Sequence, residues 1–152
     1  MTSFDVGRLT QLLEHDNHAK RQSMKQLMKD PIFIPRFDIS LRHERELALE
    51  RLKRVAQAKC ISVFDFETNP LNVFAAHEVA GMVDGSFTTK MTVQFNLFGG
   101  TMISLGTERH RKYLQGIDDM SVIGCFSLTE LGYGAPCLKL FLLPPRLFFM
   151  VL

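Results

Sequence analysis

The spacing of apolar residues changes once along this chain, and that change constrains the fold more than any other feature. From Val6 to about Leu114, apolar side chains recur every three or four positions, which is typical of amphipathic helices. After Asp118-Asp119 the spacing becomes two, which is typical of a β-strand. This spacing predicts two strand faces, with Ile123, Cys125, Ser127 and Thr129 on one and Val122, Phe126 and Leu128 on the other. The chain is therefore predicted to be mainly α, with a first strand near residues 122–129.

Proline, glycine and N-capping residues divide the helical part. On the longest predicted helix, Leu52 and Val55 belong to the apolar face, whereas Arg51 and Arg54 belong to a charged face that we expect to be exposed. The predicted helices are two before Asp30-Pro31, one from about Ile39 to Lys59, one from Pro70 to about Met82, one from Asp84-Gly85-Ser86 until Gly99-Gly100 interrupts it, and one from the N-cap Thr107 to about Leu114. The glycine pair permits either a helix break or close packing.

Composition excludes several classes of function. The net charge is +2 and the basic and acidic residues are interspersed, so nucleic acid is not an expected partner. The three cysteines form no Cys-x-x-Cys pair, so neither a disulfide framework nor a zinc site is predicted. His15 and His18 lack a third ligand nearby, and surface histidines are the favoured interpretation. The N-terminus has no apolar signal core.

Two segments near the end of the helical pattern carry a family resemblance. Gly106-Thr-Glu-Arg-His-Arg-Lys-Tyr-Leu114 is followed by Gly124-Cys-Phe-Ser-Leu-Thr-Glu-Leu-Gly-Tyr-Gly134. Both resemble segments of the acyl-CoA oxidases, the peroxisomal branch of the acyl-CoA dehydrogenase superfamily. Weaker matches, such as Asp30-Pro31-Ile-Phe33, extend the resemblance over about Phe4 to Gly134.

The resemblance implies a domain organisation. Residues 1–120 are expected to form the N-terminal helical domain of the acyl-CoA oxidase fold, and residues 121–134 the first strand and turn of a truncated, FAD-binding β-barrel. Residues 135–152 differ in composition from the rest of the chain: they are mostly apolar and include no acidic residue. We interpret them as sequence foreign to the family, produced by a frameshift, a retained intron or a faulty gene model. Lys139, Pro144-Pro145 and Arg146 interrupt this tail, so a membrane span is not expected.

The resemblance also implies a function and its site. Acyl-CoA oxidases use FAD to oxidise fatty acyl-CoA to trans-2-enoyl-CoA and pass the electrons to O2, which yields H2O2; they are peroxisomal homodimers. Thr129 matches the threonine that hydrogen-bonds the pyrimidine edge of the isoalloxazine ring, and Phe126 and Leu128 match its neighbours beside the ring. The family's base is a glutamate of the C-terminal domain, so no catalytic residue is assigned here and the chain is expected to be inactive alone. No peroxisomal targeting signal is visible.

Other interpretations stay open on the residues alone. Arg109-His-Arg-Lys112 either attracts the phosphates of CoA or forms a solvated helix face, and the solvated face is favoured. The stripe of Phe87, Met91, Phe95 and Phe98 either lines an acyl channel or packs in the core. Thr129 by itself is also consistent with an ordinary threonine before a glycine turn. A second function, a non-catalytic helical fragment or interaction module, is the alternative to the oxidase.

Overall fold

A computed structural model describes residues 4–127, and these residues are mainly helical. The helices in chain order are α1 Val6–Leu13, α2 His18–Leu27, α3 Leu41–Gln57, α4 Asp65–Thr68, α5 Leu71–Gly81, α6 Gly85–Met91, a π-helical segment Thr92–Gly99, α7 Gly100–Leu105, α8 Glu108–Arg111 and α9 Leu114–Asp118, with a 3₁₀ turn at Pro31–Phe33 between α2 and α3. The predicted mainly α class is confirmed for this part of the chain.

Side-chain caps explain where several helices begin. The Asp5 carboxylate accepts from the backbone N–H of Arg8 at 3.1 Å, and the Ser40 hydroxyl accepts from that of His43 at 3.3 Å. Asp84 accepts from the backbone N–H of Ser86 at 2.7 Å. Each cap satisfies a donor that the first turn of a helix leaves without an intrahelical partner.

The core forms around a continuous helical rod that consists of α6, the π-helical segment and α7. Helix α3 packs against α6, and α5 packs between α2 and α6. The predicted apolar stripe of the rod is almost fully buried, at 0% exposure for Phe87, Met91 and Phe95 and 1% for Phe98. Phe33 packs edge-on against Phe87, with ring centroids 5.5 Å apart. The stripe therefore packs in the core, the second of the two interpretations.

The glycine pair Gly99-Gly100 does not interrupt the helix, so the predicted break is wrong and the other interpretation, close packing, is confirmed. The rod runs through both residues. A Cβ on Gly99 would lie 2.4 Å from Cγ1 of Val63, and one on Gly100 would lie 3.3 Å from Cζ of Phe66. The glycines therefore allow the segment around α4 to pack closely against the rod, which a sequence pattern alone cannot separate from a helix break.

Two further predictions needed correction. The helix expected from Thr107 to Leu114 ends at Arg111, and a separate helix, α9, begins at Leu114. Arg51, expected on the exposed face of α3, is only 4% exposed. Its guanidinium donates to the backbone oxygens of Ile32 at 2.7 Å and Ile34 at 2.8 Å, and it forms an ion pair with Asp84. Arg51 thereby joins α3, the 3₁₀ turn and the start of α6.

The predicted strand falls only partly within the described residues. Gly124 forms a single β-bridge, and no longer strand occurs between residues 4 and 127. Leu128, Thr129, the turn up to Gly134 and the apolar tail 135–152 lie outside the described residues. None of the helices in residues 4–127 is both long enough and apolar enough to cross a membrane.

Candidate functional site

Gln94 fixes the segment that follows α9. Its side chain is 2% exposed and lies in the π-helical part of the rod. The side-chain amide donates to the backbone oxygens of Ile117 at 3.2 Å and Val122 at 2.8 Å, and its oxygen accepts from the backbone N–H of Gly124 at 3.1 Å. Because one buried side chain satisfies three backbone groups, the chain leaves the helical core in a defined position.

Asp118 anchors the other side of the same segment. Its carboxylate accepts from the backbone N–H of Val63 at 2.7 Å and from the hydroxyl of Ser62. Burial raises the pKa of Asp118, and the hydrogen bonds from Ser62 and Val63 oppose that rise. Helix α9 is thus tied to the segment before α4.

Residues 122–127 alternate between two environments, as the sequence predicts. Val122, Gly124 and Phe126 are half-buried, whereas Ile123, Cys125 and Ser127 are exposed. Gly124 faces the core so closely that a Cβ would lie 2.2 Å from Cδ1 of Phe98. Of the predicted cofactor residues, Phe126 lies on the half-buried side; Leu128 and Thr129 lie outside the described residues.

A cleft of about 310 Å³ opens between α8, the rod and the start of this segment. We call it the α8 cleft. Its apolar wall consists of Phe98 and Met102 of the rod with Val122, and its polar wall of Arg109, His110, Lys112 and Tyr113. None of these residues is acidic, so the part of the cleft that residues 4–127 line carries positive charge.

The turn before α8 determines which side chains reach this cleft. A Cβ on Gly106 would lie 2.1 Å from the backbone oxygen of Met102, so only glycine fits there. The backbone N–H of Thr107 donates to Nδ1 of His110 at 2.9 Å, and the Thr107 hydroxyl lies at the same distance from that nitrogen. Thr107 is therefore the N-cap of α8, as the sequence predicts.

The basic residues of α8 divide into two groups. Arg111 is not one of the residues that line the cleft, and it pairs with Glu108 at 3.4 Å and with Glu67 at 3.8 Å. Arg109 and Lys112 line the cleft, and no carboxylate within residues 4–127 pairs with either. The Lys112 ammonium lies 5.0 Å from the centroid of the Tyr113 ring. Arg109, Arg111 and Lys112 are all exposed, as the favoured interpretation of a solvated helix face expects.

Curated proteins similar to this chain share one family name. Peroxisomal acyl-coenzyme A oxidase 3 of Homo sapiens is 39% identical over 118 residues, which are 76% of this chain. Acyl-coenzyme A oxidase 2, peroxisomal, of Arabidopsis thaliana is 40% identical over 100 residues, and acyl-coenzyme A oxidase 3, peroxisomal, of the same plant is 31% identical over 148 residues. The chain belongs to the acyl-CoA oxidase family. The resemblance inferred from the two motifs is confirmed.

This acyl-CoA oxidase chain covers only a small part of its relatives. The matched regions are 17% of the human protein and 14% and 22% of the two plant proteins, in the N-terminal part of each. No protein-family profile matches the chain. No solved structure matches it either.

Sequence reasoning missed the residues that position the site of this acyl-CoA oxidase chain. Gln94 lies in a largely apolar run that also contains Asn96, so the sequence gave only a weak signal for it. Asp118 gave no comparable signal, because its partners Ser62 and Val63 lie more than fifty positions earlier in the chain. Contacts at that separation are decided by tertiary packing.

Proposed function

We propose that this chain forms the N-terminal helical domain and the leading edge of the flavin site of an acyl-CoA oxidase. The reaction is the FAD-dependent oxidation of fatty acyl-CoA to trans-2-enoyl-CoA, with O2 reduced to H2O2. The proposed location is the peroxisome, which the names of the human and plant relatives carry, and the proposed assembly is a homodimer. Because the chain spans about a fifth of those relatives, this activity is proposed for the longer protein.

The fixed position of the segment after α9 is the observation that best supports this role. Gln94 and Asp118 hold its start, and half-buried and exposed residues alternate along it from Val122 to Ser127. Cys125 and Ser127 are exposed, and Thr129 follows them at the same spacing of two, so we propose that Thr129 lies on the same face. The hydroxyl of Thr129 is proposed to hydrogen-bond the pyrimidine edge of the isoalloxazine ring, with Phe126 and Leu128 beside the ring.

The chemistry divides between the cofactor and the protein. Flavin supplies the acceptor for the hydride that leaves the β-carbon. The α-proton requires a base, which the family resemblance assigns to a glutamate of the C-terminal domain. The residues of this chain are proposed to orient the flavin and to exclude water from one side of it, and none is assigned to proton transfer.

Flavin binding by the purified chain tests this proposal. We expect FAD added to the chain to show a shifted and structured visible absorption band, and we expect Thr129→Val to weaken binding roughly 3- to 10-fold, since one hydrogen bond is lost. Ser127→Ala is the matched control, because it removes a hydroxyl two residues earlier on the same face. A chain that binds no FAD, or a Ser127→Ala effect as large as that of Thr129→Val, would count against the proposal.

Helix α1 favours a second function, a non-catalytic interaction module. None of its residues is buried, and Val6, Leu12 and Leu13 are between 64% and 67% exposed. An apolar face of this kind is typical of a surface that meets another protein. Flavin absorbance, read together with a peroxide assay on palmitoyl-CoA, separates the two functions: flavin binding supports the oxidase, turnover by the chain excludes a purely non-catalytic role, and a colourless, inactive chain that binds a full-length oxidase supports the interaction module.

A further inference from the structure

Two side chains of the rod hold Gly124 in place. The Gln94 side-chain oxygen accepts a hydrogen bond from the backbone N–H of Gly124 at 3.1 Å. Position 124 also lies so close to the ring of Phe98 that an added Cβ would be 2.2 Å from Cδ1. Gln94 and Phe98 are four residues apart on the rod, so they emerge on the same side of it. A hydrogen bond and a packed ring therefore fix the orientation of this residue and its distance from the core.

Val122 is held two residues earlier. Its backbone N–H donates to the backbone oxygen of Gly116 at 2.8 Å, and its backbone oxygen accepts from the Gln94 amide at 2.8 Å. The one amide group is thus a donor to Val122 and an acceptor from Gly124. A shift of the segment by one residue would place a side chain against Phe98 where only glycine fits. Gln94 therefore fixes the register of residues 122–127.

We propose that Gln94 is a positioning residue for the flavin, and that it acts by fixing, through Val122 and Gly124, the face of the strand on which Thr129 lies. This inference rests on the proposed function, which supplies the ligand and the role of Thr129. Because side chains alternate between the two faces of a strand, a shift of one residue at Gly124 would turn Thr129 to the opposite face. Glutamine suits this role because its amide carries both a donor and an acceptor, whereas methionine, of similar length, provides no N–H donor.

FAD affinity, measured by titration of the visible absorption band, tests the inference. The test variant is Gln94→Met and the matched control is Arg51→Met, which also replaces a buried polar side chain with methionine. The hydrogen-bond and ion-pair partners of Arg51 belong to the 3₁₀ turn, the residue after it and the start of α6, and none lies in residues 122–127. We expect Gln94→Met to weaken FAD binding about tenfold and Arg51→Met to weaken it less than about twofold, because only the first moves the binding edge. A general loss of stability would affect both variants.

A double-mutant cycle tests whether Gln94 acts through Thr129. In the unchanged chain, Thr129→Val is expected to weaken FAD binding roughly 3- to 10-fold, since one hydrogen bond is lost. In the Gln94→Met background we expect the same substitution to weaken it less than about twofold, because a misplaced threonine has no bond to lose.

Amide hydrogen exchange tests the inference without a substitution, and it decides the matter if Gln94→Met does not fold. If release of the segment abolishes FAD binding, FAD at about a hundred times its Kd should slow the exchange of the Gly124 amide about a hundredfold. The control is the amide of Glu14, which donates to the backbone oxygen of Thr10 at the end of α1. Its exchange is expected to stay unchanged, because α1 has no buried residue and opens locally.

Each outcome decides the inference. It is overturned if Gln94→Met and Arg51→Met weaken FAD binding equally, if Thr129→Val has the same effect in both backgrounds, or if FAD leaves the exchange of the Gly124 amide unchanged. The proposed function fails in a different way: absence of FAD binding by the unchanged chain rejects that function and this inference together. FAD binding that is insensitive to Gln94→Met rejects the inference alone.

Discussion

The side-chain oxygen of Gln94 accepts a hydrogen bond from the backbone N–H of Gly124, 3.1 Å away and thirty positions later in the chain. This contact joins the π-helical part of the buried rod to the segment proposed to carry the flavin-binding threonine. A π-helical segment is rare and is frequently found at functional sites. Here it places the Gln94 side chain where both its donor and its acceptor meet the segment that leaves the core.

Replacing Gln94 tests the strength of this connection. We expect Gln94→Leu to lower the free energy of unfolding by about 2–4 kcal/mol, because the buried backbone oxygen of Ile117 and the half-buried backbone groups of Val122 and Gly124 lose their partner. Urea denaturation measures the change. Gln115→Leu, at an exposed position of α9, is the control and is expected to change the free energy by less than about 0.5 kcal/mol. Equal effects of the two substitutions would contradict a specific role for Gln94.

A methyl group at Gly124 tests the close packing of that segment on the rod. We expect Gly124→Ala to lower the free energy of unfolding by about 1–3 kcal/mol, because the new Cβ would overlap Cδ1 of Phe98. Gly81→Ala, in α5 with no atom within 4 Å of the added Cβ, is expected to stabilise the protein by about 0.5–1 kcal/mol. In a double-mutant cycle, Phe98→Leu should recover part of the loss at Gly124. If the two changes in the free energy of unfolding simply add, the strain in Gly124→Ala does not arise from contact with Phe98.

The buried position of Arg51 predicts a large effect where the sequence predicts a small one. We expect Arg51→Met to lower the free energy of unfolding by about 3–5 kcal/mol, since Asp84 and two backbone oxygens lose their donor. Arg42→Met removes an exposed ion pair with Glu46 and is expected to cost about 0.5 kcal/mol. Thermal melts of the two variants make the comparison. A small loss at Arg51 would mean that the ion pair with Asp84 contributes little.

His77 predicts a dependence of stability on pH. Burial lowers the pKa of His77, and its hydrogen bond to the backbone oxygen of Val73 opposes that shift. The unfolded chain therefore binds a proton at a higher pH than the folded chain, so the stabilisation is present above about pH 6.5 and is lost as the pH falls below that value.

Denaturation between pH 7.5 and 5 checks this sign. We expect His77→Gln to reduce the fall in the free energy of unfolding over that range, whereas Gln115→Leu, at an exposed position of α9, should leave the fall unchanged. Because the comparison is between slopes, groups whose pKa shifts are common to both variants cancel. An unchanged slope in His77→Gln would show that this histidine is not the group that titrates.

Periodicity and capping residues determined much of the helical fold from the sequence alone. Apolar residues at a spacing of three to four predicted α3 within a few residues, Asn69-Pro70 predicted the start of α5, and Thr107 was predicted as the N-cap of α8. The alternation at 122–127 also followed from the sequence, as did membership of the acyl-CoA oxidase family. These properties depend on residues close together in the chain or on an ordered motif, so they can be predicted from the sequence.

Tertiary structure alone decided the properties that depend on distant residues. Gly99-Gly100 packs closely because Val63 lies against it, and Arg51 is buried because backbone oxygens and Asp84 surround its charge. Likewise, Arg109 and Lys112 line a cleft only because the rod supplies its opposite wall. Whether a charge is solvated and whether a glycine bends or packs depend on what the fold brings beside them, and local sequence does not contain that information.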